Sequence, residues 1–208
     1  MAMATEAGSR VVCLTATRGE LGVTDPVRWP PPQLAAIRDA EMEECMRILG
    51  VSDHRWIGYP DGGCAAVDSE EAVGRITELL EEVRPDTVLT FAGDGQTGHP
   101  DHIAVHHWAS EAVRRTGIGA LHVSVNDRES LAENLPRLLE LGAIVGDPPE
   151  AWLKPLSISL DLAPAVLQRK LAALAAQASQ TEAFRAAAGE EYYRQLVATE
   201  RFGHVVFD

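Results

Sequence analysis

The chain has 208 residues, 46% of them hydrophobic, and carries 18 basic against 31 acidic side chains for a formal net charge of −13. That length suits a single domain with a substantial core, and the acidic balance, with no local basic patch, argues against nucleic acid as a partner. No run approaches the roughly 18 apolar residues of a membrane span, and the first residues lack a signal-peptide layout, so a cytoplasmic protein without a membrane span is expected.

In chain order, Val11-Val12-Cys13-Leu14-Thr15 reads as a buried strand. A helix follows from about Pro32 to Leu49, with Leu34, Ile37, Met42, Cys45, Ile48 and Leu49 as its apolar positions and Gly50 just past its end. Trp56-Ile57-Gly58-Tyr59 reads as a short strand. Asp68 or Ser69 can cap the next helix, whose Val73, Ile76, Leu80 and Val83 recur at helical spacing until Pro85 stops it. Thr87-Val88-Leu89-Thr90-Phe91 is a third strand, and a third helix runs from His99 to about Arg115. Leu121-His122-Val123-Ser124-Val125 and Leu156-Ser157-Ile158-Ser159-Leu160 are further strands, with a helical stretch near residues 128–141 between them. Asp161 then caps an alanine- and leucine-rich helix through about Ala178, and a last helical piece surrounds Glu190 to Ala198. Strands alternating with helices predict an α/β fold on a mostly parallel sheet, with ligand sites beyond the carboxyl ends of the strands.

Three cysteines, Cys13, Cys45 and Cys64, are odd in number and far apart, without a CxxC pair, and read as buried reduced thiols. The richest segment chemically is Thr90-Phe91-Ala92-Gly93-Asp94-Gly95-Gln96-Thr97-Gly98-His99-Pro100-Asp101-His102, where a strand end, a glycine-rich turn and a helix start converge on two histidines. Pro100 suits the first helical position, which puts His99 at the cap and His102 one turn in, their rings on one side. That pattern points to metal-assisted hydrolysis, although a zinc or iron site needs three or more protein ligands and this segment supplies at most two or three. His106 lies at a spacing that could add a ligand on the same helix face, while His107 and Trp108 after it suggest ordinary packing.

Four segments carry a resemblance along nearly the full chain. They are Thr15-Ala16-Thr17-Arg18-Gly19-Glu20-Leu21-Gly22, Arg38 with Glu41 before Leu49-Gly50-Val51, Gly58-Tyr59-Pro60-Asp61-Gly62-Gly63, and Gly98-His99-Pro100-Asp101-His102, with Ser179-Gln180 as a weaker fifth. In that order and spacing they resemble the LmbE-like, or PIG-L-type, N-acetylglucosamine deacetylases. The resemblance implies a Rossmann-like α/β fold, helices on both faces of a mostly parallel sheet, and a divalent metal, usually zinc, that acts on the amide of a small N-acetyl sugar conjugate. It makes His102 a metal ligand, His99 the catalytic group near the oxyanion, and Asp101 the carboxylate that orients a histidine. Glu20, Arg38, Asp61 and Asp94 then fall among the substrate-binding positions. It leaves the aglycone open and is compatible with a homo-oligomer.

One departure is large. Members of the family open with a hydrophobic strand ending in Ala-His-Pro-Asp-Asp-Glu, which holds two metal ligands and the base; here Met1 to Gly8 reads as the last turns of the helix that follows such a motif, with Gly8 as C-cap. The expectation is therefore one domain over residues 1–208, truncated at its N-terminus, with impaired catalysis and an unpaired strand edge in its sheet. The alternative is a non-catalytic remnant that keeps a sugar-binding rim. Plainer readings stand beside the sharp ones. Arg18 with Glu20, and Arg38 with Glu41 or Glu44, can be surface ion pairs of little weight, and Asp61 and Asp94 before glycine can be turn formers. His54, His122 and His204 lack companions in sequence and read as structural or exposed.

Overall fold

The computed structural model describes residues 1–207. The first half of the chain runs α1 (Ala2–Glu6), β1 (Val12–Thr15), α2 (Pro31–Leu49), β2 (Asp53–Trp56), a 3-10 turn at Cys64–Ala66, α3 (Ser69–Val83), β3 (Thr87–Phe91) and α4 (Pro100–Thr116). The second half adds β4 (Ala120–Ser124), α5 (Arg128–Glu140), β5 (Leu156–Asp161), α6 (Pro164–Ala176), α7 (Ala178–Ala188), α8 (Glu190–Leu196) and β6 (Thr199–His204). Two compact units result, one of residues 1–62 with 161–199 and the other of residues 63–160 with the C-terminal segment from Glu200.

In the first unit β1 and β2 form a parallel pair, Val12 opposite Asp53 and Thr15 opposite Trp56. Its core gathers Ala2, Cys45, Met46, Leu49, Val51 and Ala173, so α2 and α6 pack together and α1 is tied in through its first residue. Thr5 Oγ1 donates 2.7 Å to the carbonyl of Leu49, giving the last turn of α2 a partner it lacks within the helix. In the second unit the strand order is β3-β4-β6-β5, with β3 parallel to β4 and β4 antiparallel to β6. Helix α3 starts where Asp68 accepts the Glu70 N–H at 2.9 Å, and buries Ala72, Val73, Ile76 and Leu80. It packs on α4, which contributes Trp108, Ala112 and Val113 to the interior.

The α/β class holds, with one antiparallel pairing inside the second sheet. The strand expected at Trp56 to Tyr59 lies three residues earlier, because the ladder that begins at Val12 and Asp53 ends at Trp56; Ile57 only caps it, donating to Thr15 O at 2.9 Å. Asp161 closes β5 and is not the N-cap of α6, which is Ala163, since Pro164 at the first helical position starts that helix. That helix stops at Ala176, where Gln177 leaves helical geometry and a separate α7 begins. Strand β6, of sequence TERFGH, shows no alternation of apolar residues and is fixed by its partners instead.

Gly203 in β6 faces the indole of Trp152 so closely that a methyl group there would overlap the ring. Gly203→Ala is expected to cost about 1–3 kcal/mol through overpacking, read as a lower urea midpoint with an unchanged slope. Shortening Trp152 to leucine in the same chain should recover part of the loss.

Candidate active site

The second unit builds its site where β3 ends. Gly95 donates to Ala92 O at 2.9 Å and Gly98 to Asp94 O at 3.2 Å, so the chain folds back on itself before α4 starts. Asp94 fastens this turn twice: Oδ1 accepts the Gln96 N–H at 2.8 Å and Oδ2 accepts the Glu150 N–H at 3.1 Å. Thr97 O accepts the N–H groups of Val145 and Gly146, at 2.8 and 3.2 Å. Gly98 has φ +71° and passes so near this loop that a Cβ on it would sit 2.7 Å from Gly146 Cα, so two independent demands require glycine.

His99 is the N-cap of α4, and its Nδ1 accepts the Asp101 N–H at 3.2 Å; Pro100 has no N–H of its own to satisfy. An accepting Nδ1 places the proton of the neutral ring on Nε2. His102 is the reverse. Its Nδ1 lies 3.0 Å from the Gly95 carbonyl, which can only accept, so Nδ1 carries the proton and Nε2 keeps a lone pair. Its ring stacks on Phe91 with centroids 4.1 Å apart and planes within 5°, and lies 5.0 Å from the His99 ring. The two histidines thus present opposite functions, a donor N–H on one and a bare nitrogen on the other. His106 repeats the second arrangement, with Nδ1 2.7 Å from the Phe91 carbonyl.

Asp101 is 5% exposed, and its Oδ1 accepts the Cys64 N–H at 3.0 Å, anchoring the first turn of α4 to the 3-10 turn. A carboxylate there also suits the positive end of the helix dipole. Burial holds the His102 imidazolium below the ordinary histidine range, its contact with Gly95 O opposing that shift and His99 adding to it. The unfolded chain therefore binds protons that the folded ring refuses. His102 adds no acid sensitivity above its unfolded pKa of roughly 6.5, and stability is lost as pH falls through that value toward the lower folded pKa. Nitrogen-resolved NMR is expected to give a His102 midpoint below that of a histidine in an unstructured peptide.

The first unit holds the other candidates. Asp61 and Glu20 grip each other's segments: Glu20 Oε1 accepts the Asp61 N–H at 3.0 Å, and Asp61 Oδ2 accepts the Leu21 N–H at 2.9 Å. Glu20 Oε2 is buried without a hydrogen-bond partner, an acceptor with unmet capacity. Arg38 is 5% exposed and does not join a carboxylate on its own helix face. It donates to the carbonyls of Gly19 and Gly22 and, from Nε, to Ser179 Oγ at 3.2 Å. Ser179 in turn gives its hydroxyl to Glu41 at 2.6 Å. Burial lowers the Arg38 pKa, and the charges of Asp61, Glu41 and Glu20 counter it. Arg18 pairs with Asp39 at 2.7 Å rather than with Glu20.

The sequence candidates therefore fall into two groups, His99, Asp101, His102 and Asp94 in one unit and Glu20, Arg38 and Asp61 in the other. Glu41 and Ser179, met only as parts of matching segments, prove to be the partners that complete the Arg38 arrangement. Cys13 and Cys45 are thiols whose pKa burial raises, which suits a packing role. Among the described residues no three or more His, Cys, Asp or Glu side chains group as a metal site. His102 Nε2 has the character of a ligand, but the residues here do not close a ligand set.

Residues 1–113 match the family model described as PIG-L: GlcNAc-PI de-N-acetylase. A 1D-myo-inositol 2-acetamido-2-deoxy-alpha-D-glucopyranoside deacetylase of Kineococcus radiotolerans is 36% identical over 191 residues, covering 71% of this chain and 53% of the relative. The enzyme of the same name from Acidothermus cellulolyticus is 31% identical, with 83% and 70% covered. The chain spans 53% and 58% of the length of the first two curated relatives it matches. In fold it is similar to the N,N'-diacetylchitobiose deacetylase of Pyrococcus horikoshii, with TM-score 0.63, 22% identity, and 98% of this chain and 76% of that one covered. It is also similar to a zinc-inhibited form of teicoplanin deacetylase, with TM-score 0.66, 16% identity, and 100% and 92% covered. A 4-carboxy-2-hydroxymuconate hydratase of Pseudomonas putida shares the fold at TM-score 0.65 and 17% identity, with 100% and 88% covered. Fold alone therefore does not choose the reaction.

Proposed function

Since the chain belongs to the PIG-L family of GlcNAc-PI de-N-acetylases, we propose that it removes the acetyl group from a small conjugate bearing an N-acetylglucosamine-type sugar. The observation that carries this reading is the opposed pair of tautomers on α4. Amide hydrolysis passes through a tetrahedral oxyanion, and the Nε2–H of His99 is a donor suited to it, its tautomer fixed in advance by the N-cap bond from Asp101 N–H. Asp101 acts on position, holding the helix start against Cys64. In the other unit Glu20, Asp61 and Arg38 hold one another's segments by hydrogen bonds, which supports a positioning role for them there. The names of the relatives support a sugar attached to inositol as the first substrate to try.

Zinc is the cofactor we assign to this activity, with His102 Nε2 as one ligand. The ligand-ready ring supports that assignment. The described residues group no complete ligand set, so the roles argued from structure are those of the side chains alone. This same fact favours a second reading, a protein that binds the sugar and does not turn it over.

The test incubates the chain with N-acetylglucosaminyl-inositol and other N-acetylglucosamine conjugates, with and without added Zn2+, and follows release of the primary amine. Elemental analysis of the same preparation, beside His102→Ala, reports metal. Amine release with zinc lost in His102→Ala supports the deacetylase. Saturable sugar binding without any release, over the whole panel and at all zinc levels, supports the second reading.

A further inference from the structure

We propose that His122 and His204, a cross-strand pair on β4 and β6, form a binding site for a late first-row divalent cation, separate from the histidines of α4. The two face each other in the antiparallel ladder. Val205 N donates to Leu121 O at 2.9 Å and Val125 N to Arg201 O at 3.0 Å, which makes Leu121 with Val205 and Val125 with Arg201 the hydrogen-bonded pairs. Alternation along the ladder then puts His122 and His204 in a non-hydrogen-bonded pair, the position where opposed Cα atoms approach to about 4.5 Å and side chains lie nearest. Their rings stack with centroids 5.0 Å apart and planes tilted by 28°.

The protons are arranged for metal binding. Ser157 on β5 donates its hydroxyl to Phe202 O at 3.0 Å, so its 2.7 Å contact with His122 Nδ1 is one in which the imidazole donates. His122 is held as the Nδ1–H tautomer with a free lone pair on Nε2, the state in which histidine ligates metals and in which the other nitrogen fixes ring orientation. His204 is exposed and has no hydrogen-bond partner among the described residues, so either of its nitrogens is available. Because imidazole binds metal in the plane of its ring, the exposed His204 ring turns out of the stack to bring a nitrogen within about 3 Å of His122 Nε2, the separation set by two bonds of about 2.0–2.1 Å to one cation. Two imidazoles with no carboxylate suit Cu2+ or Ni2+ ahead of Zn2+, and exclude Mg2+ and Ca2+. A bound ion would cross-link the C-terminal strand β6 to the centre of its sheet.

The experiment titrates Ni2+ into the whole chain by calorimetry, alongside His122→Ala, His204→Ala and His102→Ala. The expected result is a site weakened at least tenfold by either of the first two substitutions and retained in His102→Ala. In parallel, substoichiometric Cu2+ should broaden the amide signals of Leu121 to Ser124 and Gly203 to Val205 first. Metal-free melting curves of His204→Ala should match the parent, since the side chain is exposed, so that lost binding is not lost folding. Unchanged Ni2+ affinity in His204→Ala, or binding removed only by His102→Ala, would overturn the proposal.

Discussion

Arg38→Met is expected to be among the most destabilising single substitutions in the first unit, costing about 3 kcal/mol or more. Three acceptors, the carbonyls of Gly19 and Gly22 and the hydroxyl of Ser179, converge on one buried guanidinium. Methionine fills much of the volume and satisfies none of them. The buried Ser179 hydroxyl left without its donor costs about 1–3 kcal/mol, the half-buried Gly19 and exposed Gly22 carbonyls cost less because water can reach them, and Glu41, which Arg38 helps to neutralise, becomes a less compensated charge. Lysine is not a conservative exchange here, because one ammonium cannot reproduce a planar fork that reaches both glycine carbonyls. A denaturation series should rank the parent well above Arg38→Lys, and Arg38→Lys above Arg38→Met. If Arg38→Met melts within a degree of the parent, the guanidinium does not organise the 19–22 segment as described.

His99→Asn is expected to fold normally while losing about a hundredfold or more in kcat, the scale of removing one oxyanion donor. Asparagine is among the best N-cap residues, so the Asp101 N–H keeps an acceptor and α4 keeps its start. What it lacks is the far nitrogen of the ring, the donor that projects beyond the cap. His99→Ala, in contrast, loses both functions and should also lower stability by about 1 kcal/mol. The pair of variants separates a structural histidine from a catalytic one: equal activity in parent and His99→Asn would show that His99 only caps a helix. A fall confined to KM would instead place the ring on the ground-state substrate.

Much of this was legible in the residues. Pro100 after His99 announced both the cap and the helix start, and Gly50 and Asp68 marked helix ends that stand where expected. Strand β3 matches its reading residue for residue because Thr87 to Phe91 is a short β-rich run between Pro85 and a glycine-rich turn. What escaped depends on partners distant in sequence. Arg38 looks like a member of a helix-face ion pair until Ser179, 141 residues away, accepts from its Nε. His122 and His204 are solitary in sequence because no local signal marks β6, and without β6 nothing brings the two rings together. Asp94 suits both a turn former and a binding residue by sequence, and its two oxygens are both committed to backbone N–H groups, one nearby and one on Glu150.

That double commitment of Asp94, with the paired bonds to Thr97 O and the close approach of Gly98 to Gly146, makes the 94–98 turn and the 145–150 loop one mechanical piece. Loops usually absorb insertions and deletions freely. This one is different, because adding a residue between Val145 and Glu150 would displace the turn that aims His99 and His102. Length variation in this unit is therefore expected to be tolerated better in the half-buried stretch Leu141 to Ile144 than within the exposed loop that follows it. A library of single-residue insertions across residues 140–152, scored for folding and for activity, should show the two tolerances parting at Val145.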